Sequence, residues 1–188
     1  MTVVWKRLID QNDPTRDPMM RFKLAGDCFW VLKKDFDQNA MWMLNARSGD
    51  VVWHTDPKKP NESAPMYGPV FSSGVVYGLM VTDANTWRVS GYAAQTGTKV
   101  CQYESKPFAV KPEVELDQRI RGKYLLVRIA DQQEFSLILF DTEKKQPVHA
   151  LALKGMGPYG VHGRVSYTAQ GGYLAMLTKT QLIIDGPK

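Results

Sequence analysis

Apolar and polar residues alternate along this chain in short runs, and nowhere do apolar positions keep the three- and four-residue spacing of a long helix. The runs Gly26-Asp-Cys-Phe-Trp-Val-Leu, Gly74-Val-Val-Tyr-Gly-Leu-Met, Gly122-Lys-Tyr-Leu-Leu-Val and Gly172-Tyr-Leu-Ala-Met-Leu are rich in Val, Tyr, Trp and Leu, and Asp, Asn, Ser, Thr and Gly separate them. This pattern predicts an all-β chain. Their glycines are spaced 48, 48 and 50 residues apart. A second landmark keeps the same period: Leu44-Asn-Ala-Arg-Ser-Gly49-Asp-Val-Val-Trp53 lies over Tyr92-Ala-Ala-Gln-Thr-Gly97-Thr-Lys-Val-Cys101. It lies more loosely over Leu139-Phe-Asp-Thr-Glu-Lys144-Lys-Gln-Pro-Val148, with Lys144 at the glycine position and Val148 at the tryptophan position. Two landmarks in one register indicate about four repeats of 48 residues.

Strands are predicted at 20–25, 28–34, 40–46 and 51–54, then at 69–72, 75–82, 87–94 and 99–104, with the third and fourth units beginning near 117 and 163. The units run approximately 20–54, 69–104, 117–151 and 163–185 within a single domain of 188 residues. Gly49 and Gly97 sit where a third strand turns into a fourth, a place that commonly needs positive φ, so their expected role is geometric. A four-stranded antiparallel sheet cannot bury both faces alone and must stack on its neighbours. Radial stacking of such blades gives a β-propeller.

The chain's first residues bear on completeness, because Thr2-Val3-Val4-Trp5-Lys6 resembles Asp50-Val51-Val52-Trp53-His54 at the same offset of 48. Residues 2–6 are thus expected as a fourth strand that completes the last unit. A closed four-bladed ring, half of an eight-bladed ring finished by a second chain, and part of a longer propeller all satisfy this. An open blade leaves edge groups and an apolar face exposed, so a protein partner or self-association through the incomplete terminal blade is expected.

At Ala46-Arg-Ser-Gly49-Asp-Val-Val-Trp53, followed by Gly68-Pro-Val-Phe-Ser-Ser-Gly-Val-Val-Tyr77, the sequence resembles the pyrroloquinoline-quinone-type propeller repeats. Their hallmark is an alanine, a Thr-Gly or similar pair, and a tryptophan that docks between neighbouring blades. Ala94-Gln-Thr-Gly97-Thr-Lys-Val-Cys101 matches with cysteine in place of tryptophan. The resemblance implies a propeller, inter-blade docking by Trp5 and Trp53, and two functional classes. One is the exported quinone-dependent alcohol and sugar dehydrogenases, which hold a calcium-bound quinone near the axis; the other is cofactor-free scaffolds and binding modules. The Cys-Cys pair of the alcohol enzymes is absent, and no motif assigns an Asp or Asn to the base or calcium role.

Composition adds little that redirects this reading. Lys plus Arg total 24 against 19 acidic residues, a formal charge of +5, but the basic residues are scattered in pairs, which disfavours a nucleic-acid surface. Cys28 and Cys101 stand in apolar alternating segments and make no metal pattern; buried thiols are expected. No apolar run reaches the length of a membrane span, and the first residues lack the pattern of a signal peptide.

Candidate chemistry is sparse. Asp35-Phe-Asp37-Gln-Asn39 alternates oxygen ligands but lacks the central glycine and terminal glutamate of a calcium loop, and Asp83-Ala-Asn85 repeats it one period later, which indicates turn chemistry. His54, His149 and His162 are expected apart, with His54 and His149 on the rim. No nucleophile elbow, phosphate loop or dinucleotide fingerprint is present. Trp5, Trp30, Trp42 and Trp53 fall in predicted strands and Trp87 beside a turn. The first strands of the units bring Arg21, Arg119, Arg121 and Arg164 toward the ring centre, where they could contact an anionic ligand or acidic partner. Loops near 58–66 and 156–159 offer recognition surfaces. The expected function is a non-catalytic propeller binding or scaffold module that uses no cofactor; the alternative is a subunit or fragment of a quinone-dependent dehydrogenase.

Overall fold

A computed structural model describes residues 19–34, 39–55, 67–110, 112–116, 122–130, 134–154, 166–170, 172–177 and 182–186. They form fifteen strands in four antiparallel sheets, each strand paired with its neighbour in sequence. Sheet 1 holds β1 (Met19–Ala25), β2 (Cys28–Lys34), β3 (Asn39–Asn45) and β4 (Val51–His54). Sheet 2 holds β5 (Tyr67–Ser72), β6 (Val75–Val81), β7 (Trp87–Ala93) and β8 (Lys99–Glu104). Sheet 3 holds β9 (Glu113–Leu116), β10 (Tyr124–Ala130), β11 (Glu134–Asp141) and β12 (Gln146–Lys154), and sheet 4 holds β13 (Ser166–Gln170), β14 (Tyr173–Leu177) and β15 (Leu182–Asp185). The first strand of sheet 3 lies ahead of the expected start near 117, because Glu113-Val-Glu-Leu116 pairs with Val127–Ala130.

Alternation dictates which side chains meet. In β6 and β7 the odd-numbered Tyr77, Leu79, Val81, Trp87 and Val89 point toward sheet 3, where they pack with Leu125, Val127, Ile129 and Phe140. Val76, Tyr92 and Ala94 project the other way onto Trp30, Leu32, Met41 and Met43 of sheet 1. Leu126, Leu137, Leu139 and Leu151 of sheet 3 pack on Met176 and Ile183 of sheet 4. The core is therefore three apolar layers between successive sheets, the arrangement that relieves each two-faced sheet of water. Trp87, whose placement beside a turn left it the least fixed of the tryptophans in sequence, is fully buried in the middle layer.

Each complete sheet breaks register once between its third and fourth strands, at Met43/Leu44, Gly91/Tyr92 and Leu139/Phe140, positions spaced by 48 and 48. A bulge at this place twists the outer strand and re-aims its side chains. Just before it, Met43 pairs with Trp53, Gly91 with Cys101, and Leu139 with His149.

Candidate functional site: the junctions between sheets and the open face of the fourth

The bulges give three equivalent positions, Trp53, Cys101 and His149, on successive fourth strands. This corrects the sequence alignment of the third unit by one residue. Lys145 (φ 58°), not Lys144, takes the left-handed place held by Gly49 (φ 76°) and Gly97 (φ 72°), and His149, not Val148, takes the place of the tryptophan. The turn itself fixes this register. Asn45 Oδ1 accepts hydrogen bonds from the backbone N–H groups of Arg47 and Ser48, and Asp141 Oδ1 accepts them from Glu143 and Lys144, two periods later. An exposed lysine with positive φ has no signature in a linear sequence.

At the first junction Trp53 acts as a peg. Its Nε1–H donates to the Ala94 carbonyl at 2.7 Å, and its ring tilts against Tyr92 with centroids 5.9 Å apart. The indole lies over the turn below it so closely that a Cβ on Gly97 would stand 2.7 Å from Trp53 Cγ. Gly97 is thus demanded twice, by its left-handed φ and by the ring above it.

At the second junction the peg is a buried thiol, Cys101, which faces Lys145 across the gap. The peg at this junction is a thiol rather than an indole, and here a residue with a side chain, Lys145, occupies the left-handed position. Other side chains supply the missing volume. Tyr77 uses the space left by Gly91, where a Cβ would stand 3.0 Å from its ring, and hydrogen-bonds the Thr142 side chain. Tyr103 packs at 5.1 Å against Trp87 and edge-on at 5.9 Å against Phe140. Burial pushes the Cys101 thiol up from its ordinary pKa, partly countered by the Lys145 charge, and burial likewise raises Cys28. Both cysteines are free thiols, Cys101 buried and Cys28 partly buried.

At the third junction His149 is the peg, its Nδ1 3.2 Å from Asp185 Oδ2 in sheet 4. Asp185 stands where Tyr92 stands at the first junction, on the side chain that faces the preceding sheet. His149 and His54 lie on the outer strands of different sheets, as expected, and His149 there also pairs with Asp185 of the next sheet. Counting 48 onward from Cys101 would have found it; its unlikeness to tryptophan hid it.

The far face of sheet 4 is different in kind. Leu177 pairs with Leu182 and Ala175 with Ile184, as Leu32 pairs with Met41 and Trp30 with Met43 in sheet 1. Met176 and Ile183 face sheet 3, so Tyr173, Leu177, Leu182 and Ile184 face away from it. Leu32, Met41 and Met43 are 0% exposed beneath sheet 2, whereas Leu177 is 50%, Leu182 63%, Ile184 60% and Tyr173 52% exposed. No fourth strand pairs with β15 among the described residues.

Charged groups elsewhere serve the turns. Asp141 is buried; desolvation pushes its pKa up, but the backbone N–H groups of Lys144 and Glu143 and the Lys123 ammonium outweigh it, so the carboxyl is held below its ordinary value. Lys123 Nζ lies 3.4 Å from Asp141 and 2.8 Å from Glu143. Asp83-Ala-Asn85 forms a turn, with Asn85 at φ 55°. Among the described residues no group of three or more His, Cys, Asp or Glu is placed to hold a metal, and no helix is long and apolar enough to cross a membrane. Trp5, His162, Arg119, Arg121, Arg164, residues 35–38 and both long loops lie outside the described residues, as does the side chain of Arg21, whose backbone belongs to β1.

No family model matches the sequence, and no curated protein matches it significantly. Solved structures do resemble it. A europium-containing methanol dehydrogenase aligns with a TM-score of 0.54 at 11% identity, over 71% of this chain and 25% of that one. The β-propeller domain of the Trilobed protease from Pyrococcus furiosus, described as having an open velcro topology, aligns with a TM-score of 0.53 at 10% identity, over 86% of this chain and 48% of that one. Kluyveromyces lactis Hsv2 aligns with a TM-score of 0.50 at 14% identity, over 90% and 49%. The chain is an all-β protein similar in fold to several β-propellers, and it spans between about a quarter and a half of their lengths.

Proposed function

We propose that this chain is a propeller-type binding and scaffold module, non-catalytic by itself, whose working surface is the open face of sheet 4. The observation that carries this is the correspondence of places: Leu177, Leu182 and Ile184 repeat the positions of Leu32, Met41 and Met43, which another sheet seals from water. Burying one such side chain contributes about 1.5–3 kcal/mol, so several together strongly favour a covering partner. The partner that fits is another β-sheet, because the face is apolar and of the kind that stacks three times among the described residues, and because no described strand pairs with the edge of β15. Sheets stacked in this way are preorganised, which limits the ordering cost of binding.

An apolar dye whose fluorescence rises on exposed hydrophobic surface tests the surface directly. The dilute chain is expected to bind it, and Ile184→Glu with Leu182→Glu to remove most of the signal without loss of far-ultraviolet β-structure. An unchanged signal would reject this face as the working surface. The non-catalytic part is tested by incubation with pyrroloquinoline quinone and calcium, where no dye-linked alcohol or sugar oxidation is expected. Turnover would favour the dehydrogenase alternative, whose support is a likeness of fold at 11% identity.

A further inference from the structure

We infer that Asp185-Gly186, at the end of β15, is a site of covalent self-modification, where the aspartate converts to isoaspartate through a cyclic imide with His149 of sheet 3 as proton donor. Asp185-Gly186 is the single Asp-Gly pair in the 188 residues, and no Asn-Gly is present. An aspartyl carboxyl cyclises onto the backbone nitrogen that follows it, and glycine shields that nitrogen least because it has no Cβ. Here the two reacting groups already meet, since the Gly186 N–H donates to Asp185 Oδ1 at 3.0 Å. Asn45 and Asp141, by contrast, turn Oδ1 to N–H groups two and three residues on. The fold thus holds nitrogen beside carboxyl where an unfolded chain would have to find that arrangement among many.

The surroundings retain this pair and supply what the reaction needs. The Tyr173 ring lies so close to Gly186 that a Cβ there would overlap its Cδ1 and stand 2.6 Å from its Cε1. Packing therefore demands glycine at the reactive position. The Asp185 side chain is 39% exposed, which admits water. His149 Nδ1 lies 3.2 Å from Oδ2.

The step balances with solvent water alone. The Gly186 nitrogen bonds to Asp185 Cγ and gives up its proton. The Cγ–Oδ2 bond breaks, and Oδ2 leaves as water, carrying that proton and one from the His149 imidazolium Nδ1–H, while Oδ1 remains as the imide carbonyl. Water then adds to one of the two imide carbonyls. Addition at Cγ breaks the new bond to nitrogen and restores aspartate; addition at the main-chain carbonyl carbon of Asp185 breaks the original peptide bond and leaves the chain running through Cβ and Cγ. The isoaspartate has one extra carbon in the backbone where Asp185 pairs with Leu174, and its free carboxylate sits on Cα. The contact with His149 is lost, and the third junction loosens with time.

The full 188-residue protein is incubated for weeks at physiological temperature in mildly acidic buffer, and isoaspartate is located by peptide mapping and by labelling with a protein isoaspartyl methyltransferase. Isoaspartate is expected at Asp185 ahead of Asp50, Asp83 and Asp141, after a species lighter by one water. The folded protein is expected to convert at least about threefold faster than the same chain in urea, and His149→Gln to lose that advantage when folded while matching wild type in urea. Asp185→Glu is expected to remove the signal, because its ring would need one more atom. Conversion at Asp185 no faster when folded than in urea would overturn the proposal, as would His149→Gln converting at the wild-type rate when folded. The first comparison uses the wild-type chain alone, so it decides the matter even where His149→Gln fails to fold.

Discussion

The first and second junctions solve one packing problem in opposite ways. Between sheets 1 and 2 a single indole, Trp53, fills the gap, anchors to the Ala94 carbonyl and forces glycine into the turn beneath it. Between sheets 2 and 3 the same position holds the small Cys101, and the volume is spread over Tyr77, Trp87, Tyr103 and Phe140. The turn opposite can then carry Lys145. What repeats every 48 residues is thus a filled gap and a left-handed turn, and residue identity follows from how the volume is shared across each joint.

The largest expected effect is Trp53→Ala, which should cost about 3–5 kcal/mol in urea unfolding, the usual range for removing a packed core aromatic. A cost below about 1 kcal/mol would break the contrast between a peg and a distributed filling. Next comes the pair of turns. Gly97→Ala should cost about 2–4 kcal/mol, since it adds a left-handed penalty to a clash with Trp53. Lys145→Gly should change stability by less than about 1 kcal/mol, because glycine relieves the positive φ but gains freedom in the unfolded chain. Equal effects at the two turns would show that the indole does not select the glycine.

The acid limb of stability sharpens the third-unit register. Asp141 has a folded pKa below its unfolded value, so it stabilises the protein above about pH 4, and that contribution is lost as pH falls through the folded value. Asp141→Asn should therefore flatten the fall in stability below about pH 4 while leaving the neutral-pH slope unchanged, as followed by urea titration at several pH values. A profile identical to wild type would remove Asp141 from the turn's charge balance.

The smallest effect is expected at the third junction. His149 and Asp185 are partly exposed, and breaking such a contact by His149→Ala should cost about 0.2–1 kcal/mol. A cost approaching that of Trp53→Ala would mean that the docking position dominates whatever residue fills it.

The sequence alone determined the all-β class, the period and the turn glycines Gly26, Gly49, Gly74 and Gly97, all of which have positive φ. These are local properties: alternation sets which side of a strand a residue faces, and left-handed backbone selects glycine by sterics within one residue. In sequence the third unit aligns one residue out of register because Lys145 carries a glycine's conformation without its identity. Only the stacked sheets decided that Tyr77 makes up the volume of a missing tryptophan, and that Leu182 and Ile184 face solvent while Met41 and Met43 do not. The two methionines and the two aliphatic residues look alike in sequence, since each sits in an alternating apolar strand. Their difference is the neighbour across the gap, and a neighbour about 48 residues away in the chain is specified by packing between sheets rather than by any pattern within one.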